Sequence, residues 1–289
     1  MDETAKQARP VGWLDKAAAG RTLDEQLADV RRDGSHAAPS VLREMALTAN
    51  GVGRPARTAV NALVFGCYRP FSTPFIVRDA VRLLNRLGVG FTWLEKEYCC
   101  GLPLLPQAQG ERAGALREAA RDCIRANVAA AAELGAQKLV YCCAGCAHAA
   151  KGALPGQAAG HAYILDALLD ALDGRPLAVA PRRIAYFEGC HGSYRKPYPE
   201  AGLDWPRYRR FLGGLGGLTL VDVPQAMCCK AMAGKIVNWI ADQGCEAVVC
   251  ACSACNVAMR QAGQGRIRVQ SYLEVLAEAL GEDQTCRQT

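Results

Sequence analysis

GAQKLVYCCAGCAHA, residues 135–149, and GCEAVVCACSACNVA, residues 244–258, align without a gap. Each carries a run of apolar residues with the composition of a buried strand, then a CxxC, then small residues. The register sets Cys143 and Cys146 opposite Cys252 and Cys255. Cys142 falls opposite Ala251, and Cys250 opposite Tyr141, so these two cysteines are neighbours of the pattern and not members of it. A segment that recurs in register marks an internal repeat, to be traced before any other feature.

Upstream of the first CxxC, TAVNALVFG (58–66) reads as a buried strand and FIVRDAVRLLNRLG (75–88) as a helix with a glycine stop. FTWLE (91–95) is a second strand. A long Ala-rich helix at 111–135 then leads into KLVYC (138–142). The rhythm restarts with the strand RRIAYFEG (182–189), the helix WPRYRRFLGGLG (205–216) and the strand LTLVDVP (218–224). The helix KIVNWIADQG (235–244) and the strand EAVVCA (246–251) complete it. Strands alternating with helices predict an α/β fold: two tandem, duplicated Rossmann-like domains with largely parallel sheets, over 58–178 and 179–289, the second with a C-terminal tail. Residues 1–57 hold no cysteine and are expected to form a partly helical or flexible extension. Leu23, Leu27 and Val30 there stand at helical spacing. The segment is either a partly ordered leader or a docking arm for a partner subunit.

The repeat is written in cysteine. The first strand of each half ends in Gly-Cys, at Cys67 and Cys190. The second strand is followed by Cys-Cys, at Cys99–Cys100 and Cys228–Cys229. The third strand ends in the CxxC. Each half thus carries the order C, CC, CxxC at predicted strand carboxyl ends, the edge where an open parallel sheet binds its ligands. Zinc takes four ligands in a tetrahedral shell, and two adjacent cysteines reach one small ion awkwardly. A multi-iron cluster offers several attachment points. On spacing alone an iron–sulfur site ranks first, a zinc site second and a redox dithiol third. Cys123, Cys245 and Cys286 lie outside the pattern and read as buried or incidental thiols.

Fifteen cysteines in 289 residues would suit a disulfide framework in a small secreted domain. This chain is long enough to build a core without them. No apolar run reaches the ~18 residues of a membrane span, and the opening residues lack the apolar core of a signal peptide. A cytoplasmic location, with reduced thiols available to metal, is the expectation. The net charge of +6 is not concentrated in a Lys/Arg block, so nucleic-acid binding is not read from it.

At these residues the sequence resembles the CCG-domain, or cysteine-rich domain, family, which carries a Cys-Cys-Gly within a C…CC…CxxC pattern. It looks most like the doubled form of that pattern in the B subunit of heterodisulfide reductase, over about residues 58–280. Its Ala- and Arg-rich composition points to the bacterial, sulfur-oxidising heterodisulfide-reductase-like type. The resemblance implies two noncubane [4Fe-4S] clusters, one bound by Cys67, Cys99, Cys100, Cys143 and Cys146, the other by Cys190, Cys228, Cys229, Cys252 and Cys255. It further implies electron transfer to or from a disulfide, persulfide or carrier thiol, with a small ferredoxin-like subunit and a flavin subunit as partners. The ferredoxin run CxxCxxCxxxC and the GxGxxG loop are absent, so electron delivery falls to those partners. An electron relay to a quinone and a zinc-stabilised, non-redox binding subunit are the alternatives.

The second copy departs from the motif. Lys230 stands where the glycine of CCG belongs, where a positive φ or close approach is expected, so the expectation there is a modified cluster, a different metal, or the same cluster with altered potential. His191, next to Cys190, is the candidate catalytic proton donor to a departing thiolate. The run HGSYRKPYPEAGLDWPRYRRF (191–211) mixes Arg195, Lys196, Arg207, Arg209 and Arg210 with aromatic residues and suggests a surface for an anionic substrate or an acidic partner.

Overall fold

Parallel pairing organises both halves of the chain, as a computed structural model describes it over residues 21–53, 59–189, 198, 201–224 and 227–281. The first sheet joins β1 (Asn61–Val64), β2 (Phe91–Trp93), β3 (Lys138–Tyr141) and β4 (His161–Tyr163) in the order β2-β1-β3-β4. The second joins β5 (Ala178–Phe187), β6 (Gly216–Asp222), β7 (Ala247–Cys250) and β8 (Arg268–Ser271) in the order β6-β5-β7-β8. The two orders are the same once the numbering is shifted by four, and every pairing is parallel. The register is equivalent too: Leu63 lies beside Val140 and Tyr186 beside Val249. Strands covered on both faces must be apolar throughout, and Ala62, Leu63, Val140, Val248 and Val249 are accordingly buried. The expected α/β architecture with parallel sheets is therefore present. Each sheet also gains a fourth strand, β4 or β8, that the sequence pattern does not reveal.

Helices fill the connections. In the leading segment lie α1 (Leu23–Asp33) and α2 (Ser40–Ala49). Thr22 and Glu25 form a capping box at the start of α1, and Gly34, with φ 77°, ends it. Leu23 and Val30 of the anticipated helical stripe are buried. The first half continues with α3 (Pro74–Arg86), α4 (Gly110–Glu133), α5 (Ala144–Ala153) and α6 (Ile164–Ala171). The second half has α7 (Trp205–Gly213), α8 (Cys229–Asp242), α9 (Ser253–Gly263) and α10 (Tyr272–Ala279), the last with a Ser271–Glu274 capping box.

Backbone contacts divide the chain into two units, one holding the described residues to Ala167 with 198 and 201–203, the other those from Leu168 to Gly189 and from Asp204 onward. The basic, aromatic run at 191–211 is put to internal use where it is described. Trp205 and Tyr208 are buried. Arg207 pairs with Asp170 at 2.6 Å and Arg209 with Asp222 at 2.8 Å. Arg195 and Lys196 lie outside the described residues. No described helix is long and apolar enough to cross a membrane.

Candidate metal centre

In both halves the cysteines are delivered by the same backbone device. Gly66, just past β1, has φ 85°, and a Cβ there would lie 3.3 Å from the Cys146 sulfur and 3.7 Å from the Cys143 Cβ. Gly189, just past β5, has φ 86°, and its Cβ would lie 2.8 Å from the Cys255 sulfur and 3.8 Å from the Cys252 Cβ. Only glycine takes this left-handed turn readily and leaves that space to sulfur. The CxxC cysteines sit where β3 and β7 pass into helices: Cys143 is the N-cap of α5 and Cys252 the N-cap of α9, neither with a side-chain capping bond. The strand order changes direction between β1 and β3, and between β5 and β7. Such a switch point opens a crevice at the carboxyl edge of the sheet.

The first site brings together all five sequence-predicted cysteines. The Cys99 and Cys67 sulfurs are 3.6 Å apart. Cys99 also contacts Cys100, Cys100 contacts Cys146, and Cys146 contacts Cys143, so the thiols form one unbroken chain. The glycine of the CCG motif has the role expected of it. Gly101 has φ 74°, a Cβ there would meet the Ala120 Cβ of α4 at 2.5 Å, and its N–H donates to the Cys99 sulfur at 3.4 Å.

Cys99, Cys100 and Cys146 resist ionisation. The hydrogen bond from Cys100 lowers Cys99, but the bond to Cys67, burial and repulsion from Cys67 outweigh it and leave Cys99 well above the ordinary thiol range. Cys100 is eased down by Cys146 and pushed up more by Cys99 and by burial. Cys146 is raised by its hydrogen bonds to Cys100 and Cys143 and by burial. Sulfurs packed this closely become thiolates together only when a cation shares their charge.

The second site repeats the inner part of the array. Cys255 contacts Cys229 and Cys252, and those bonds together with burial raise its thiol. Cys229–Cys255–Cys252 thus corresponds to Cys100–Cys146–Cys143. Cys228 is the N-cap of α8 and Cys229 its first residue. Lys230 therefore lies in a right-handed helical turn, where no glycine is needed, and the departure from CCG has a structural reason. Cys190 and His191 lie outside the described residues. Cys142 and Cys250 are buried at the ends of β3 and β7 and belong to the sheet core.

Two contributors were invisible in the sequence. His36, between α1 and α2, places Nδ1 3.5 Å from the Cys99 sulfur. The ring is buried, and burial, with the Arg21 charge adding to it, lowers its pKa to about 4. Glu97 accepts hydrogen bonds from the N–H groups of Phe65 at 2.9 Å and Gly66 at 2.5 Å, fixing the turn that presents Cys67. Arg43 of α2 lies 3.7 Å from that carboxylate and donates to the Leu94 carbonyl at 2.9 Å. The Cys99 N–H donates to the Gly34 carbonyl at 2.7 Å. Partners 31 to 65 residues apart leave no local pattern to read.

The donors suit a soft metal centre: converging sulfurs, a glycine cradle that a Cβ would fill, and apolar surroundings. Comparison with known proteins agrees. Residues 62–150, which hold the five cysteines of the first site, match the cysteine-rich domain family, CCG. The chain is 27% identical over 246 residues to the D subunit of dihydromethanophenazine:CoB–CoM heterodisulfide reductase from Methanosarcina barkeri, covering 75% of this chain and 58% of that protein. It is 24% identical over 242 residues to the B subunit of fumarate reductase (CoM/CoB) from Methanothermobacter marburgensis, covering 75% and 46%. It is also 26% identical over 220 residues to an uncharacterized iron-sulfur protein of Methanocaldococcus jannaschii, covering 69% and 40%. The matched region thus spans only about half the length of these relatives. The chain is thus related to subunits of these two reductases and to an iron-sulfur protein.

Proposed function

We propose that this chain is an iron–sulfur subunit of a heterodisulfide-reductase-like complex, built of two CCG-type domains at 58–178 and 179–289. The observation that carries this reading is the repeated thiol array, Cys100–Cys146–Cys143 and Cys229–Cys255–Cys252, at the same edge of two equivalent sheets. Cys67, Cys99, Cys100, Cys143 and Cys146 would hold one noncubane [4Fe-4S] cluster. Cys190, Cys228, Cys229, Cys252 and Cys255 would hold the second. Such clusters supply single-electron transfer at a sulfur-liganded iron.

The residues divide the remaining tasks. Gly66 and Gly189 keep side chains out of the two crevices, and Glu97 holds the Cys67 turn against the Cys-Cys loop. Splitting a disulfide takes two electrons and two protons and yields two thiols. In this reading the electrons come from a small ferredoxin-like subunit and a flavin subunit of the same complex, His191 gives one proton to the departing thiolate, and solvent water supplies the second. The substrate is a disulfide, a persulfide or a carrier thiol.

Metal and acid-labile sulfide analysis of anaerobically prepared protein tests this. About eight irons per chain with matching sulfide are expected from two four-iron clusters. About four would confine the reading to one site, and zinc without sulfide would overturn it. Loaded protein whose electron paramagnetic resonance spectrum ignores added thiol would reduce the role to electron relay.

A further inference from the structure

We propose that His36 supplies a nitrogen ligand to the metal of the first site, so that its donor set is mixed cysteine and histidine. The inference rests on the reading of that site as metal-bearing and adds a residue that the C…CC…CxxC pattern does not contain.

Its basis is geometric. The ligand atoms of His36, Cys67 and Cys99 all lie within 4.8 Å of one another. A tetrahedral ion with metal–sulfur bonds of ~2.3 Å and a metal–nitrogen bond of ~2.0–2.1 Å has a sulfur–nitrogen edge of ~3.5 Å and a sulfur–sulfur edge of ~3.8 Å. The observed separations are 3.5 Å between Cys99 Sγ and His36 Nδ1, and 3.6 Å between Cys99 Sγ and Cys67 Sγ. Two edges of a tetrahedral face are thus already in place, and the third, from Cys67 to His36, is no longer than 4.8 Å.

The ring is built into this position. His36 is 2% exposed and stands edge-on to Tyr68, the residue after Cys67, with ring centroids 5.1 Å apart. Two residues before it, the Gly34 carbonyl holds the Cys99 N–H. Nε2 is buried without a hydrogen-bond partner among the described residues. Buried polar rings are ordinarily satisfied, yet here Nε2 has no partner among the described residues and Nδ1 faces the Cys99 sulfur. That is the arrangement of a ligand and not of a core histidine. The segment that carries it precedes the first half alone, so the two sites would differ in ligand type.

The test uses the full chain, reconstituted anaerobically with iron and sulfide, unlabelled and with 15N-histidine. Pulsed paramagnetic resonance is expected to show a directly bound nitrogen that changes from the 14N to the 15N pattern on labelling and disappears in His36→Ala and His36→Gln. A loaded first site without that coupling, or with it retained in both variants, overturns the proposal. The labelled wild-type protein keeps the test valid if a variant misfolds. If iron and sulfide do not bind, the reading of the function fails separately, and Co2+ added to the metal-free chain still probes His36. Its visible bands are then expected to indicate mixed sulfur and nitrogen ligation. His36→Ala is expected to weaken cobalt binding by at least the ~10–100-fold that losing even an outer partner costs. Cobalt spectra and affinity unchanged by His36→Ala would sink it.

Discussion

Glu97→Gln isolates what positions the first site without touching a sulfur. The Glu97 side chain is 4% exposed, accepts from two backbone N–H groups and faces Arg43, itself 9% exposed. Glutamine keeps the shape and one acceptor oxygen. It removes the charge opposite Arg43 and turns an NH2 group toward a backbone donor. Breaking a buried pair by neutralising one partner costs ~3–5 kcal/mol. At 3.7 Å the pair is loose, and Arg43 keeps its bond to the Leu94 carbonyl, so the lower end, about 3 kcal/mol, is expected. For a unit of this size that corresponds to a fall in melting temperature of roughly 6–12 °C. The assay is thermal and urea unfolding of metal-free wild type, Glu97→Gln, Arg43→Met and the double variant. Coupling of ~1–3 kcal/mol is expected, the double variant losing less than the two singles together. Additivity within ~0.5 kcal/mol, or a single-variant loss below ~1 kcal/mol, would refute the clamp.

Gly101→Ala forces a Cβ against Ala120 at a left-handed φ and is expected to destabilise by more than ~2 kcal/mol, measured by urea unfolding. Lys230→Gly, which restores the CCG spelling in the second copy, is expected to bring no stability and to lose up to ~1 kcal/mol, because the position is helical; a gain would contradict the helical start at Cys229. His36 and His161 both titrate near 4 when folded, through burial first and then through a nearby cation. The unfolded chain binds those protons near pH 6.5, so metal-free protein keeps its full stability above that value and loses it as the pH falls toward 4. His36 accounts for up to about 3 kcal/mol of this, and flat stability between about pH 6.5 and 4 would exclude it.

The elements legible in the sequence were those with strong local signals. β1, β3, β5 and β7 are apolar runs bounded by glycine and cysteine, and the gapless overlay makes β3 and β7 equivalent without any knowledge of their pairing. β4 and β8 span only His161–Tyr163 and Arg268–Ser271. β8 is too polar to stand out and β4 runs directly into α6, and both are strands because β3 and β7 offer them a free edge. Gly101 was legible because a CCG glycine has a conformational reason. Lys230 was misleading, because a helix start replaces the tight turn there. His36, Glu97 and Arg43 are single residues without periodicity or motif, and only tertiary packing brings them to the cysteines.

Helices that begin at cysteine set the electrical character of each crevice. Among the described residues of the first half only α5 starts at a cysteine, Cys143, whereas in the second both α8, at Cys228, and α9, at Cys252, do so. The amide groups of a helix's first turn carry partial positive charge that stabilises a nearby anion by ~0.3–1 kcal/mol. If each half binds its cluster through five thiolates, as proposed, an added electron would be held more easily where two such ends meet. The two proposed sites would then differ in electron affinity, in addition to the difference in ligand type that His36 brings to the first.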